Sequence, residues 1–513
     1  MDASSIIQVC MVATAISCAV QGISGVPVTV EVDVANGLPS FTIVGLTDRA
    51  IQEARERVRA AVRNAGFDFP QRRVTVNLAP AEVPKEGSGF DLAIAAALLR
   101  TEREMPLDDV ACIGELALDG RVRGVVGMLP MARRLLASGI RRLVVARENA
   151  AEAALVEGTS VIGVDSLAMA VAHLEGRIRL LPVSAPPMER VPAVDSVDLA
   201  AIRGQAVAKR ALEIAAAGRH NLLMLGPPGA GKTMLARALA GLLPDLGSED
   251  ALEVAALYSL RGRLGDRPPT SLRPPFRAPH HSVSRAGLIG GGAGIAQPGE
   301  VSLAHHGVLL LDEICEFPRT HLEALRQPLE ERRVALTRVR ATVVYPADFV
   351  LIAAANPCPC GRLGELAGPG CRCPEEVVVR YQSRLSGPLR DRIDMVVDVP
   401  RLDGDALLGE GEEEPSTVVR GRVAAAGARQ AGRAAATGAG CNALLDGERL
   451  LGVCGLDASA RSALTEVGER WRLSARAYHR VLRVSRTIAD LRGDEQVGRE
   501  AVIEAFQLRG QAP

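Results

Sequence analysis

The chain has no long apolar run that would suggest a membrane protein. Its main apolar stretch near the start, Ile6 to Val20, contains Gln8 and Ser17 and is shorter than a membrane span. We interpret this stretch as a buried strand and expect no membrane partner. The start, Met1-Asp2, lacks a basic segment, so no secretion signal is predicted and we expect a cytoplasmic protein.

The chain also lacks an excess of charge. Lys and Arg together number 60, Asp and Glu together number 60, and the formal net charge is zero. This balance excludes a global basic field, so a nucleic acid would have to be bound by a local patch. The 10 cysteines, without a secretion signal, indicate a reducing compartment, where clustered thiols favour metal binding over disulfides.

Lysine is nearly absent. Among 60 cationic residues of the Lys and Arg types, the lysines are Lys85, Lys209 and Lys232. A chain that otherwise uses arginine keeps lysine where a compact ammonium group is needed. Lys232 occupies such a position, at the end of a glycine-rich segment.

That segment, Gly226 to Thr233, fits the G-x-x-x-x-G-K-[ST] phosphate-binding pattern and is called the phosphate loop below. An apolar strand precedes it, and a helix is predicted over Met234 to Leu243. Lys232 would reach the terminal phosphates and Thr233 would hold Mg²⁺, so ATP and Mg²⁺ are the predicted cofactors. A chance glycine-rich turn is the alternative. The predicted nucleotide-binding residues are Gly226, Pro227, Pro228, Gly229, Ala230, Gly231, Lys232, Thr233 and Asp312.

Further polar residues follow two buried-type strands. Val308 to Leu311 ends in Asp312 and Glu313. We predict that Asp312 holds Mg²⁺ and that Glu313 polarises the water that attacks the γ-phosphate. A second strand, Phe349 to Ala355, ends in Asn356, which is placed to orient the same water. The alternatives are an ordinary surface strand end at Asp312 and a strand-ending turn at Asn356.

The length of the chain and its proline-rich interruptions predict several domains. We expect an α/β domain over residues 1–175 and a proline-rich linker over 176–195. A second α/β domain, with the phosphate loop near its start, is expected over 196–400. A connecting segment over 401–440 and a helical domain over 441–513 complete the prediction.

Four segments carry a family resemblance: Gly226 to Thr233, Leu309 to Glu313, Asn356 to Cys358 and Leu389 to Asp394. Together they resemble the magnesium-chelatase-like branch of the AAA+ ATPases. The whole chain is similar, more narrowly, to the YifB/ComM family, whose signatures include Ser474 to Arg480. The resemblance implies a phosphate-loop NTPase core with a parallel sheet, a C-terminal helical lid, and a homo-hexameric ring with active sites between subunits.

Two arginines match positions of this family. The resemblance implies that Arg392 is the arginine finger that reaches the neighbour's γ-phosphate, and that Arg476 is the second sensor, in the lid. An arginine supplied in trans stabilises the charge that develops on the γ-phosphate. The residues leave alternatives open: Arg392 in a buried ion pair with Asp391 or Asp394, and Arg476 as a surface arginine of a basic helix.

An arginine-tipped hairpin is predicted between Arg332 and Pro346, with Arg338 and Arg340 near its turn. In related ring ATPases this position projects into the central channel, where a collar of arginines would grip a DNA backbone. The alternative is a solvated hairpin with surface arginines.

Four cysteines lie close together in sequence. Cys358 and Cys360 precede a Gly/Pro-rich loop, and Cys371 and Cys373 follow it. Four thiolates suit tetrahedral zinc, although the C-x-C spacing is less common than C-x₂-C. We consider a structural zinc site and a loop of free thiols as equal alternatives.

The N-terminal domain resembles the catalytic domain of Lon protease, an S5 domain 2-like α/β fold, through Lys85 to Gly89 and Gly114 to Val122. A serine–lysine protease needs a lysine beside its serine, yet no lysine occurs between Lys85 and Lys209. Gly89 stands where the nucleophile is expected, with Ser88 displaced by one position. We therefore interpret the domain as a binding or assembly platform.

Taken together, the residues and the family resemblance predict a Mg²⁺-dependent ATPase ring that couples hydrolysis to DNA translocation. The resemblance implies helicase or branch-migration work during recombination or natural transformation. The alternatives are a magnesium-chelatase-type metal-insertion motor and a protein-remodelling ATPase. Against the first alternative, the chain has no D-x-S-x-S motif of a metal-binding partner domain.

Overall fold

The computed structural model describes residues 12–45, 49–189, 197–292, 296–337, 342–364, 370–402 and 413–509. These residues form two α/β regions and a C-terminal set of helices, which confirms the expected fold class.

The N-terminal region alternates strands and helices. In chain order they are β1 (Ala13–Gln21), β2 (Ser24–Ala35), β3 (Ser40–Val44), α1 (Arg49–Asn64), β4 (Arg73–Ala79), α2 (Asp91–Arg100), β5 (Val110–Ile113), β6 (Glu115–Leu116), β7 (Val122–Arg123), α3 (Met128–Ala137), β8 (Arg142–Ala146), α4 (Arg147–Ala154), β9 (Ser160–Val164) and α5 (Leu167–Leu174).

The large N-terminal sheet has seven strands in the order β3-β4-β2-β1-β5-β8-β9. β1 pairs antiparallel with β2, and β2 pairs antiparallel with β4, whereas the remaining neighbours are parallel. Alternation of side chains produces the core: Val28, Val30 and Val32 of β2 are fully buried while Thr29 faces out. The apolar stretch that we interpreted as a buried strand contains the first eight residues of β1. Val12, just before β1, is exposed, and residues 6–11 lie outside the described chain.

The core region contains the phosphate loop. Its elements are α6 (Ala206–Gly218), β10 (Leu222–Leu225), α7 (Lys232–Leu242), α8 (Ser248–Leu260), β11 (Phe276–Arg277), α9 (Arg285–Ile289), β12 (Gly290–Gly291), β13 (Gln297–Pro298), α10 (Glu300–Leu303), β14 (Val308–Leu311), α11 (Arg319–Ala324), α12 (Arg326–Glu331), β15 (Arg333–Thr337), β16 (Thr342–Pro346), β17 (Val350–Ala355), α13 (Glu375–Gln382), α14 (Gly387–Arg390) and β18 (Met395–Asp398).

The core sheet has five strands, all parallel, in the order β11-β14-β17-β10-β18. Every residue of β14 and of β17 is buried, because helices and loops cover both faces of the sheet. Leu225 pairs with Ala355, and Leu311 pairs with Ala353, so the carboxyl ends of three neighbouring strands meet at one edge.

The C-terminal region is helical. α15 (Ser416–Thr437) lies in the predicted connecting segment, and the predicted helical domain contains α16 (Gly447–Cys454), α17 (Ala458–Arg470), α18 (Ala475–Arg492) and α19 (Arg499–Gln507). One apolar cluster joins these helices to the core sheet, with Val423 and Val481 packed in the same cluster as Leu222 and Leu310. Lys209 of α6 binds Glu413 at 2.6 Å, which ties the start of this region to the core.

The N-terminal region lies directly on the core. Ala255 and Ala256 of α8 belong to the same buried cluster as Met128 and Leu135 of α3. The predicted linker is packed as well: Val183 N–H donates to the Val161 carbonyl, and Glu189 N–H donates to the Thr270 carbonyl. The described part of the linker, 176–189, therefore bridges the two regions through backbone hydrogen bonds.

Candidate active site

The three loops predicted to carry the chemistry follow three neighbouring strands. The phosphate loop follows β10, Asp312 and Glu313 follow β14, and Asn356 follows β17. In an open parallel sheet, a ligand binds in the crevice outside the carboxyl ends of the strands. The topology therefore gathers these residues at one edge, although they are far apart in sequence.

The phosphate loop is shaped by close backbone packing. A Cβ at Gly226 would lie 2.1 Å from the Val399 carbonyl oxygen, so a side chain has no room there. Gly229 and Gly231 have φ angles of 79° and 91°, in the left-handed region that favours glycine. Gly231 precedes α7, so the amino end of this helix opens onto the loop. The glycines of the pattern are thus required by the backbone.

Lys232 is held inside the loop. Its Nζ donates to the carbonyls of Gly226 at 2.6 Å and Pro227 at 2.8 Å, and to Asn356 Oδ1 at 3.1 Å. Burial lowers the pKa of this lysine, while the charges of Asp312 and Glu313 raise it. Lys232 and Asn356, which are 124 positions apart, therefore form one polar contact.

Thr233 and Asp312 form the second polar contact. Thr233 Oγ1 donates to Asp312 Oδ2 at 2.6 Å. Hydroxyl and carboxylate oxygens are the ligands that Mg²⁺ takes beside nucleotide phosphates, so these two residues fit a Mg²⁺ site next to the phosphate loop. Asp312 Oδ1 also accepts from Glu313 N–H at 2.9 Å, which fixes the carboxylate plane.

Glu313 points away from the protein interior. Its side chain is 53 % exposed and lies 3.8 Å from His281 Nδ1. Its φ of 51° is unusual for a non-glycine residue and marks a sharp turn directly after β14. The sequence did not predict this contact, because it joins two loops and leaves no spacing signal.

Arg392 and Arg476 both influence Glu330 of α12. Arg392 donates to the Pro388 carbonyl at 2.6 Å and forms an ion pair with Glu330 of α12. The hydrogen bond from Arg392 holds the pKa of Glu330 below its ordinary range, and the charge of Arg476 adds to this effect. Within the described residues, no contact joins either arginine to the phosphate loop of its own chain.

The partner of Arg392 differs from the alternatives weighed from sequence. Asp391 pairs with Arg480 at 3.3 Å, and Asp394 accepts from Asn221 N–H at 3.0 Å and lies 3.5 Å from His220. Arg392 instead pairs with Glu330, whose side chain is 57 % exposed, so the pair is not the buried ion pair considered from sequence. In the sequence, Glu330 and Glu331 precede the hairpin, but no pattern indicates which arginine binds them.

The strands of the predicted hairpin are present. β15 and β16 pair antiparallel from Arg333 with Pro346 to Thr337 with Thr342. Val343 and Tyr345 anchor the hairpin in a buried cluster with α8, and the Tyr345 hydroxyl donates to the Ala296 carbonyl at 2.5 Å. Arg338 and Arg340 lie outside the described residues, so their assignment stays a prediction.

The four clustered cysteines are brought together in space. Cys358 Sγ lies 3.4 Å from Cys360 Sγ and 3.6 Å from Cys371 Sγ, and Cys373 belongs to the same group. The loop that carries them begins two residues after Asn356, at the edge of the site.

Parallel strands, a phosphate loop, a Thr–Asp pair for Mg²⁺ and a helical lid define a phosphate-loop ATPase. Comparison with known proteins narrows this class. The family model described as "Magnesium chelatase, subunit ChlI" matches residues 198–407. "Subunit ChlI of Mg-chelatase" matches 30–149, and "Magnesium chelatase, subunit ChlI C-terminal" matches 413–509.

Two relatives span nearly the whole chain. The protein YifB of Escherichia coli (strain K12) is 43 % identical over 493 residues, covering 95 % of both chains. The "Competence protein ComM" of Haemophilus influenzae is 43 % identical over 498 residues, also covering 95 % of both. The chain belongs to the YifB/ComM family of magnesium-chelatase-like proteins and is an AAA+-type ATPase that uses nucleotide and Mg²⁺.

A more distant similarity involves Lon protease. The enzyme from Rhizobium meliloti is 26 % identical over 193 residues, which is 34 % of this chain and 24 % of that protein. Among the described helices, none combines the length and the apolar character needed to cross a membrane.

Proposed function

We propose that this ATPase works as a homo-hexameric ring in which each subunit completes the site of its neighbour. The supporting observation is the separation of the two groups of residues. Lys232, Thr233, Asp312 and Asn356 contact one another, whereas Arg392 meets Glu330 away from them. A finger arginine must reach the γ-phosphate to stabilise its developing charge, and a neighbouring subunit can supply it.

The roles within the site follow from this arrangement. Asp312 and Thr233 hold Mg²⁺, Glu313 polarises the attacking water, and Asn356 orients that water from the side of Lys232. Glu330 binds Arg392 and is also influenced by Arg476 of the same subunit. In the ring, both arginines would face the next subunit. The two arginines therefore act as one charged edge.

The ring can be tested by mixing two inactive variants. Glu313→Gln lacks the water-activating carboxylate but keeps Arg392, and Arg392→Ala has the reverse defect. We expect each variant alone to lose ATP hydrolysis about 10²-fold or more. A mixture should recover part of the activity, because a Glu313→Gln subunit can lend its Arg392 to an Arg392→Ala neighbour. Mixed Glu313→Gln and Lys232→Ala serves as the control, since both defects lie in the same half of the site and no shared site is restored.

An inactive mixture of the first pair would show that Arg392 acts within its own chain, and the shared site would then be abandoned. Native mass spectrometry of the same samples reports the ring size. Six subunits agree with the proposal, and a monomer under conditions of full activity contradicts it.

We further propose that the ring moves along DNA, as a helicase or branch-migration motor in recombination. The Haemophilus relative is named a competence protein, and the hairpin β15–β16 has a buried base while its connection carries Arg338 and Arg340. Metal insertion is the second candidate, favoured by the family model that matches 198–407. In the DNA proposal, a ring of hairpin arginines would bind DNA phosphates without recognising the base sequence.

The DNA proposal predicts that single-stranded or forked DNA stimulates ATP hydrolysis. Arg338→Ala with Arg340→Ala should abolish the stimulation and weaken DNA binding about tenfold or more at moderate salt, while basal hydrolysis remains. The matched control is Arg319→Ala with Arg461→Ala, which removes two exposed arginines outside the hairpin. Equal effects of both double variants, or the absence of DNA stimulation in the parent protein, would refute DNA translocation.

A further inference from the structure

The four-cysteine loop has the dimensions of a metal site. Besides the two distances given above, Cys360 Sγ lies 3.6 Å from Cys371 Sγ, and all four sulfur atoms lie within 4.8 Å of one another. Zinc bound at about 2.3 Å by four thiolates places neighbouring sulfur atoms about 3.8 Å apart. The observed spacing is far longer than a disulfide and close to that tetrahedral value.

A backbone group is directed at one of the sulfur atoms. Cys371 Sγ accepts from Cys373 N–H at 3.4 Å. Hydrogen bonds of this kind orient thiolate ligands and disperse their charge in metal sites. Cys371 is therefore supported by an N–H donor within the loop itself.

We propose that Cys358, Cys360, Cys371 and Cys373 bind one zinc ion through four thiolates, and that this site holds the loop after β17 against the phosphate loop. Four protein ligands leave no open coordination position, so the ion is structural. The second part of the proposal rests on the proposed ATPase site, whereas the first part does not.

The contact between the two loops is direct. Gly361 has a φ of 76°, and a Cβ at this position would lie 2.3 Å from Pro228 Cδ in the phosphate loop. On the other side, Gln382 of α13 donates to the Pro357 carbonyl at 3.0 Å. The segment 357–361 therefore lies between α13 and Pro228 and contacts the phosphate loop.

The zinc site is tested by metal analysis of the full chain purified without chelators. We expect about one zinc ion per chain. Cys371→Ser with Cys373→Ser should lose it, and Cys441→Ala, which alters a buried cysteine outside the cluster, should keep it. If the double variant fails to fold, release of zinc from the parent protein by a thiol-binding mercurial gives the same answer. Protein that holds no zinc after incubation with Zn²⁺, or that holds iron instead, would overturn the proposal.

The link to the phosphate loop is tested with two glycines of the same segment. Gly361 and Gly364 both have left-handed backbone conformations, with φ of 76° and 84°, so alanine brings similar backbone strain to each. Only at Gly361 does the added carbon meet Pro228, because nothing lies within 4 Å of the Cβ position at Gly364. Comparing the two alanine variants therefore separates the effect of the contact with Pro228 from the effect of backbone strain.

Gly361→Ala should weaken binding of a non-hydrolysable ATP analogue about tenfold, and Gly364→Ala should leave it unchanged, with zinc retained in both. Equal affinities for the two variants would refute the link to the phosphate loop. Zinc content is measured independently, so failure of the parent protein to bind the analogue would instead count against the proposed ATPase site.

Discussion

The two large sheets of this chain differ in what lies at the ends of their strands. In the core sheet, three parallel neighbours end side by side, and their loops bring Lys232 to Asn356 and Thr233 to Asp312. In the N-terminal sheet, β2 runs antiparallel to both β1 and β4. The carboxyl ends of these three strands therefore alternate between the two edges. Alternating helices and strands are therefore not enough to form an active site. The strands must also be parallel, so that their carboxyl ends lie side by side.

The polar residues of the N-terminal region are used within the region. Lys85 donates to the Pro80 carbonyl, and Ser88 donates to Glu115. Asp91 is fully buried and accepts from Arg57 at 2.7 Å. Burial raises the pKa of Asp91 to about 6, although the contacts with Arg57 lower it. The lysine and serine that would form a protease dyad thus have other partners, which agrees with the interpretation of this region as a platform.

The largest stability difference should come from Asp348, which precedes β17 and joins elements of the core. Its carboxylate binds Arg332 and lies 3.4 Å from Arg219. Burial raises the pKa of Asp348, but the charges of Arg219 and Arg332 and the bond from Arg332 outweigh it and hold the pKa well below its usual range. Asp348→Asn leaves two arginines unpaired and should lower the unfolding free energy of the core by about 3 kcal/mol.

The matched control comes from the other sheet. Asp165 follows β9 and pairs with Arg147, and both side chains are more than half exposed, at 54 % and 58 %. Asp165→Asn should cost less than about 1 kcal/mol. Chemical denaturation, followed separately for the two regions by hydrogen exchange, measures both changes. Equal losses would show that the core does not depend on this buried pairing.

The same pairing predicts a dependence on pH. Because the folded-state pKa of Asp348 is depressed, its contribution is present above the unfolded carboxyl value and is lost as pH falls through the lower folded value. The parent core should therefore lose stability on acidification more steeply than Asp348→Asn. Parallel acid profiles would contradict the assigned shift.

A smaller effect than that of Asp348→Asn is expected at Ser88. Ser88→Ala removes one hydrogen bond and should cost about 1 kcal/mol of stability in the N-terminal region, with ATP hydrolysis unchanged. Peptide cleavage should be absent from the parent protein and from the variant. If the parent protein cleaves peptides and Ser88→Ala does not, the platform interpretation is wrong. The N-terminal region would then contain a second active site.

Local patterns were enough to predict much of this molecule. The helix predicted over Met234 to Leu243 begins two residues earlier and ends one residue earlier in the structure, and the strand expected over Phe349 to Ala355 begins one residue later. Apolar periodicity and strand-ending acids are short-range signals, so they survive in a single sequence. The roles assigned to Glu313, Arg392 and Arg476 stay predictions, since they depend on a nucleotide and on a neighbouring subunit.

Contacts between distant segments were beyond the reach of sequence. The close approach of Val399 to Gly226, the meeting of Arg392 with Glu330, and the packing of Gly361 on Pro228 each join loops from different elements. Such contacts depend on strand order and on the lengths of the intervening connections, and neither leaves a periodic mark. The packing of the linker over 176–189 was not predicted for the same reason.

The sequence by itself determined the phosphate loop, the acids after β14 and the order of the regions, because these features follow from residue types at fixed short spacing. Only the tertiary structure decided that the phosphate loop, Asp312 and Asn356 share one edge, that the two arginines gather at Glu330, and that four thiols converge beside Pro228. The physical reason is that a parallel sheet aligns the ends of strands that are remote in sequence, and packing then selects which side chains meet there.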